Sequence, residues 1–282
     1  MLSFKARFVC LLASPALCLA AADPVQQLAE DYLARRPSNA ISSDTTMPDA
    51  LRIQGQFVSA LADKFGKPVG YKVGLVTKEA QEKSGVTSPI RGVLLENMML
   101  RDHAEVAVDF GAKPLVEADL VVVVRDRDIN NAATQLDVLR NLKEIVAFIE
   151  LPDSSIAANQ RVTGPLLTAV NVGARYGVLG QRVPVKATPA FVEALENMQI
   201  NLVDGTGKEH GKATGATILE HPVNAILWLI EDLNKDGKEL RPGDLLSLGS
   251  VKAIPPEPGQ TYTVKYEGLP GGPISVSVKF LK

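Results

Sequence analysis

The chain has 282 residues, 46% of them hydrophobic and 22% charged, with 30 basic side chains against 32 acidic ones and a formal charge of −2. That length supports a sizeable core in one large domain, with or without an N-terminal appendage, and the near-neutral balance without a basic run argues against nucleic acid and anionic membranes as partners. Its two cysteines, Cys10 and Cys18, both fall near the start, so the rest of the chain has no disulfides and its stability must come from the core.

Residues 1–22 read as a secretory signal peptide. Lys5 and Arg7 precede a run from Phe8 to Ala22 that is apolar apart from Ser14 and Pro15 and closes on small residues, the pattern of a leader cleaved after Ala22. The run is shorter than the roughly 20 residues a spanning helix needs, which disfavours an uncleaved anchor. Bulky Leu17 disfavours lipidation at Cys18. Export would make the mature chain, starting near Asp23, periplasmic or secreted and free of the membrane, and loss of Lys5 and Arg7 would take its charge to about −4.

Residues 23–69 read as a helical region. PVQQLAEDYLARRP carries Val25, Leu28, Ala29, Tyr32 and Leu33 at helical spacing and ends at Pro37; DALRIQGQFVSALADKFG turns Leu51, Phe57, Val58 and Leu61 inward and stops at Gly66. From Gly70 the period shortens. GYKVGL reads as a strand, TKEAQEKSG as one or two helical turns, GVLLENMML and AEVAV as extended pieces, and KPLVEADLVVVV as a buried strand. A helix is predicted over 131–142, then the strand EIVAFIEL. The stretch 162–180, interrupted by Gly164, Gly173, Gly177 and Gly180, gives no clear local state.

FVEALENMQINLVDGTGKEHG reads as a strand followed by a turn at Asp204-Gly205. HPVNAILWLIEDLNKDG is the clearest helix, with Val223, Ile226, Leu227, Ile230 and Leu233 in a stripe, Pro222 in the first turn and Gly237 as the stop. DLLSLGS, QTYTVKYEG and PISVSVKF complete a series of short strands. Many short strands with a few separate helices predict an α+β fold around a mostly antiparallel, sandwich or barrel-like core.

The residues that point to chemistry are carboxylates. Glu117 and Asp119 share one face of a strand, and Glu150 ends the next one, so all three enter water-poor surroundings. Buried carboxylates are costly unless paired or bound to metal, so the trio is either a cation site or a strand end meeting solvent or Arg125. An all-oxygen set suits a hard ion, Mg²⁺ first and Mn²⁺ or Ca²⁺ next. Lys72, between glycines in GYKVGL, is a desolvated acid/base with a lowered pKa, a charge that neutralises an anionic substrate, or an ordinary snorkelling lysine. Ser250, at a strand end, is a hydrogen-bond donor to a carboxylate or oxyanion, or a turn residue.

Other chemistries find little support. His221 reads as a helix-cap residue, and His103 and His210 as turn residues, so no zinc or copper cluster forms. Asp232-x-Asn234-x-Asp236-Gly237 imitates the start of a calcium loop, but its twelfth position is Gly243, and the segment reads as a helix end. Nucleophile-elbow, dinucleotide-binding and phosphate-loop patterns are absent.

Taken together, GYKVGL, SPIRGVLLENM, KPLVEADLVVVV, FIELPDSSI and EHPVNAILWLIEDLNKDGKELRPGDLLSLGSV resemble, in order and spacing, the 2-keto-4-pentenoate hydratase branch of the fumarylacetoacetate hydrolase family. The resemblance runs from about Gly70 to the C-terminus. It implies the family's mixed β-sandwich or roll with peripheral helices in a catalytic domain over 70–282. It also implies Mg²⁺ or Mn²⁺ on Glu117, Asp119 and Glu150, Lys72 as the catalytic lysine, Ser250 and Arg91 as substrate contacts, and a small 2-oxo acid as substrate. Members often dimerise, so self-association is a further expectation. The implied activity is that of a hydro-lyase; C–C hydrolysis, decarboxylation and simple binding of oxo acids or metal are the alternatives. Two departures stand out: Asp119 replaces the branch's usual Glu, and Ile90 stands where the branch carries an acid.

Overall fold

The computed structural model describes residues 23–282, so the signal-peptide reading of 1–22, with Cys10 and Cys18, lies outside the described residues. The first described helix, α1 (Pro24–Leu33), starts where the Asp23 carboxylate accepts the Val25 amide at 2.9 Å. The second, α2 (Met47–Phe65), is capped by Thr46 and stops at Gly66. Their apolar stripes pack Leu28, Tyr32, Phe57, Leu61 and Phe65 together with Leu95, Met98, Leu166 and Ala169 from later in the chain. The helical pair therefore shares a core with the segments that follow.

Those segments are β1 (Pro68–Gly74), α3 (Lys78–Lys83), β2 (Ile90–Leu95), β3 (Met99–Arg101), β4 (Ala104–Ala107), β5 (Val116–Val124), α4 (Gln135–Arg140), β6 (Leu142–Leu151), α5 (Gly164–Ala169), β7 (Tyr176–Pro184) and α6 (Pro189–Asn197). After them come β8 (Gln199–Asp204), β9 (Glu209–Thr214), α7 (Pro222–Lys235), β10 (Leu245–Ser247), β11 (Lys252–Ile254), β12 (Thr261–Glu267) and β13 (Ile274–Leu281). One sheet runs β2-β1-β10-β5-β6-β7-β3, with β11 also paired to β5; the other runs β4-β13-β12-β8-β9. Most pairs are antiparallel; β1/β10, β3/β7 and β4/β13 are parallel.

Strand alternation sets the core. Val116, Ala118, Leu120, Val122 and Val124 of β5 and Ile145, Ala147, Ile149 and Leu151 of β6 face a large apolar cluster shared with Tyr262, Val264 and Tyr266 of β12 and with α7. The opposite face of the same two strands buries a small patch, Val121, Val123, Val146 and Phe148, and ends in the acids. The α+β class and layered mixed sheets agree with the sequence expectation.

Three segments differ from it. FVEALEN is the helix α6, because Thr188 caps the Phe191 amide at 3.2 Å and Pro189 opens the first turn; the strand begins only at Gln199. The helix expected over 131–142 shortens to α4, preceded by a 3₁₀ turn and fixed by a Thr134–Asp137 capping box. The unassigned stretch 162–180 forms α5, a 3₁₀ turn at 171–173 and the start of β7.

The contact between β1 and β10 leaves no room for a side chain at Gly70, where an added Cβ would meet the Leu245 carbonyl oxygen at 1.9 Å. The obstruction is backbone and cannot swing away. Gly70→Ala is therefore expected to cost about 3 kcal/mol, the upper end of overpacking penalties, seen as a lowered urea midpoint.

Candidate active site

Four adjacent strands, β1-β10-β5-β6, bring the chemistry onto one face. Lys72 on β1 lies in register with Ser247 on β10, Ser247 with Val121 on β5, and Glu117 on β5 with Glu150 on β6. Residues opposite one another across a ladder share a face, so Lys72, Ser247, Asp119, Glu117 and Glu150 collect there although up to 175 positions separate them in the chain. Lys72, Glu117, Glu150 and Ser250 line a cavity of about 880 Å³, walled also by Val76, Leu115, Ile156, Leu167, Val170 and Val172.

Lys72 is 4% exposed. Its stem crosses the bare backbone of Gly92, where an added Cβ would meet the lysine Cγ at 2.8 Å. Its ammonium donates to the Val172 carbonyl at 2.9 Å and forms an ion pair with the Glu150 carboxylate. Burial pushes the ammonium toward the neutral form, but the charges of Glu150 and Glu117 outweigh it and hold the pKa above the usual lysine value. This corrects one of the sequence readings: the lysine is desolvated but not deprotonated.

The acceptor at Val172 is held in an unusual turn. Asn171, Val172 and Gly173 all have positive φ, 56°, 53° and 67°, a conformation disfavoured for a β-branched residue such as Val172. Asn171 clamps it, accepting from the Val93 amide at 2.7 Å and donating to the Val93 carbonyl at 2.9 Å.

The three carboxylates are not equivalent. Glu117 is half-buried on the cavity wall, and its carboxyl is pushed up by burial and by Glu150, with Lys72 and the Ser250 hydroxyl working against the rise. Asp119 is fully buried behind it. Ser247 donates to its Oδ2 at 2.7 Å, and the Gly249 and Leu120 amides donate to its Oδ1. Burial first, then Glu150, raises the Asp119 carboxyl to about 7. Glu150 Oε1 lies against the lysine ammonium yet has no well-aligned hydrogen-bond donor.

These features test the fit of a divalent cation. Three carboxylates share one lysine, which is the electrostatic deficit a hard cation fills. Glu117 and Glu150, opposite one another across the strands, are the two of the three carboxylates that line the cavity. Among the described residues no three Asp, Glu, His or Cys side chains converge as a ready cage. Asp119, with both oxygens already engaged by protein donors, supplies charge from behind.

Ser250 lies at the cavity beside Glu117, and its hydroxyl also donates to the Lys252 carbonyl at 3.1 Å. Arg91 does not join the group. It is 3% exposed and ion-pairs with Asp232 and Asp236 of α7, on the face of β2 away from Lys72. The calcium-like run is thus a helix end neutralised by arginine. Ile90 lies on the Lys72 side, against Gly74, and brings no acid. Among the histidines, His221 caps α7 by accepting the Val223 amide, and His210 lies on β9 paired with Asp204 rather than in a turn.

Sequence reasoning missed Ser247, Gly92, Asn171 and Asp153. Asp153 is fully buried, accepting from Arg175 at 3.1 Å and from the Lys113 amide at 2.8 Å, and its own amide ties to Gly173. The Asn-x-Gly triplet at 171–173 was the available signal, since both residue types favour left-handed turns.

No family model matches the chain. It is 28% identical over 253 residues to the TodF product hydratase of Pseudomonas putida, covering 88% of this chain and 91% of that one. It is 26% identical over 264 residues to the 2-oxo-hept-4-ene-1,7-dioate hydratase of Escherichia coli, covering 91% and 96%. Among solved structures, 4-oxalocrotonate decarboxylase from Pseudomonas putida G7, complexed with magnesium and adipate, superposes with a TM-score of 0.79 at 22% identity over 92% of this chain and 96% of that one. The fold is that of the fumarylacetoacetate hydrolase class. Within it, the chain is similar in sequence to hydratases and, more distantly, to decarboxylases of unsaturated 2-oxo acids.

Two outcomes test this geometry. A carboxyl whose folded pKa exceeds its unfolded one binds protons more tightly when folded, so stability falls as pH rises from the ordinary 3.8 to the raised value near 7 at Asp119. In cation-free protein that slope amounts to about 4 kcal/mol. Asp119→Asn is expected to remove its share above pH 5, about 3 kcal/mol, leaving that of Glu117, and Mg²⁺ at pH 7.5 to offset the slope in wild type, both read from urea midpoints at pH 5 and 7.5. Separately, Arg91→Met, which strands two aspartates, is expected to cost about 3 kcal/mol while leaving cation affinity unchanged.

Proposed function

We propose that the chain is a divalent-cation-dependent hydro-lyase that adds water to a small unsaturated 2-oxo acid. The observation that carries the reading is the cross-strand Glu117–Glu150 pair beside a charged lysine at one cavity. The hydratases it resembles, and the magnesium and adipate held by the similar decarboxylase, support that reading.

Glu117 and Glu150 would hold the cation, Mg²⁺ or Mn²⁺ by donor chemistry, with Asp119 adding charge behind them. Such a cation, when bound, stabilises the negative charge that develops on the oxygens of an oxo acid. The protein's own contribution is proton handling and shape. Lys72 spends two of its three donor directions on Val172 and Glu150, leaving one for substrate. Charged at neutral pH, it stabilises an enolate and supplies a proton to carbon as that enolate collapses. Val76, Leu115, Ile156 and Val172 give the unsaturated chain an aliphatic wall to lie against.

A second reading, decarboxylation, is favoured by one observation: Ile90 is apolar and buried, so the Lys72 side of β2 offers no group to activate water. We also propose that the protein is exported, on the leader-like pattern of residues 1–22. Edman sequencing of protein from the native host is expected to start near Asp23, and a cytoplasmic full-length chain would refute export.

The activity is tested by supplying purified protein with Mg²⁺ or Mn²⁺ and a panel of unsaturated 2-oxo acids. Water addition is expected, with Glu150→Ala abolishing turnover and cation affinity together. Undiminished turnover in that variant removes the carboxylate pair from the reaction, and release of CO₂ without hydration selects the decarboxylase reading.

A further inference from the structure

Water addition needs a group that takes a proton from water, and most titratable residues at the cavity are already committed. Lys72 is bound to Glu150 and Val172. Glu117 and Glu150 form the cation platform. Asp153 lines the cavity but is fully buried, with its oxygens given to Arg175 and the Lys113 amide. Lys252 lies in register with Ala118, which puts its side chain on the face opposite the acids, with its stem over Gly211.

What remains is on α3. Glu79, Ala80 and Lys83 of α3 line the cavity at i, i+1 and i+4, together with Val76 and Thr77 just before the helix. The helix is pinned at both ends. Thr77 caps the Ala80 amide, Gln81 donates back to the Leu75 carbonyl at 2.9 Å, and the Gly164 amide donates to Ser84 at 2.8 Å. Among the described residues Glu79, exposed to solvent, has no ion-pair or hydrogen-bond partner, which makes it the one uncommitted carboxylate lining the cavity.

We propose that Glu79 is a catalytic residue that accepts the water proton, doing from α3 what Ile90 cannot do from β2. The inference rests on the hydro-lyase reading. As the water oxygen bonds to the distal carbon of the C=C bond, one water proton passes to the Glu79 carboxylate and the π pair moves into the enolate. The enolate carbon then takes a proton from Lys72, and the proton on Glu79 returns through solvent to the lysine. The net change is one water added across the double bond, with both side chains restored.

The experiment follows hydration and, by NMR in D₂O, deuterium exchange at the carbon next to the oxo group, in wild type, Glu79→Gln and Glu79→Asp with Mn²⁺ present. Glu79→Gln is expected to lower the hydration kcat by about 100-fold or more while exchange, Mn²⁺ affinity and Tm stay near wild type. Glu79→Asp should recover part of the rate. Hydration by Glu79→Gln within about threefold of wild type overturns the inference and leaves the hydro-lyase reading standing. Loss of exchange together with hydration also overturns it, because Glu79 would then act before water addition. A wild-type protein that exchanges but never hydrates overturns the hydro-lyase reading itself, and the inference with it.

Discussion

Three carboxylates and one lysine on the inner end of a β-sheet impose the constraint on which the rest of this structure depends. Asp119 alone illustrates its size: raising a carboxyl from 3.8 to about 7 corresponds to about 4 kcal/mol of resistance to ionisation. That is a large fraction of the net stability of an ordinary domain. The apolar interior on the other face of β5 and β6 has to hold these strands in register against that cost, and a run of 0% exposed Val, Leu and Ile residues does so. Tyr266 adds a polar tie from the second sheet, its hydroxyl donating to the Asp119 and Phe148 carbonyls across the acid-bearing pair.

The lysine is arranged by the same logic. A buried ammonium would ordinarily lose its proton, and here the carboxylates reverse that tendency. Its position depends on two local concessions in the backbone, the missing side chain at Gly92 and the left-handed turn at 171–173. Neither makes sense as packing alone. The turn costs conformational energy at Val172, and Asn171 offsets it with two hydrogen bonds to β2. Strain held in place by a specific clamp, beside a charged group in a cavity, is the pattern of a site built for positioning.

Much of this was legible in the sequence wherever one period decided the outcome. The alternation in KPLVEADLVVVV put Glu117 and Asp119 on one face, and the stripe in HPVNAILWLIEDL fixed α7. Capping chemistry was read less well: Thr188-Pro189 marks a helix start, yet the apolar FVEAL beside it was taken for strand. Long-range neighbours were not legible at all. Ser247 reaches Asp119 only because β10 inserts between β1 and β5, an order that no local pattern carries.

Arg91 shows how the pleat itself settles a functional question. Lys72 lies opposite Gly92, so positions 90 and 92 of β2 face the lysine and position 91 faces away. An arginine at 91 therefore cannot reach the cavity without breaking the strand; it goes instead to the side occupied by α7, where Asp232 and Asp236 make its burial tolerable. By the same parity, position 90 is the one place on β2 from which an acid would look toward the lysine, and there the chain carries isoleucine. The sheet thus supplies the carboxylates and the charged lysine, and on the proposed hydration the remaining proton chemistry has to come from outside it. Helix α3 is the element outside the sheet that lines the same cavity, and Glu79 is the carboxylate it brings there.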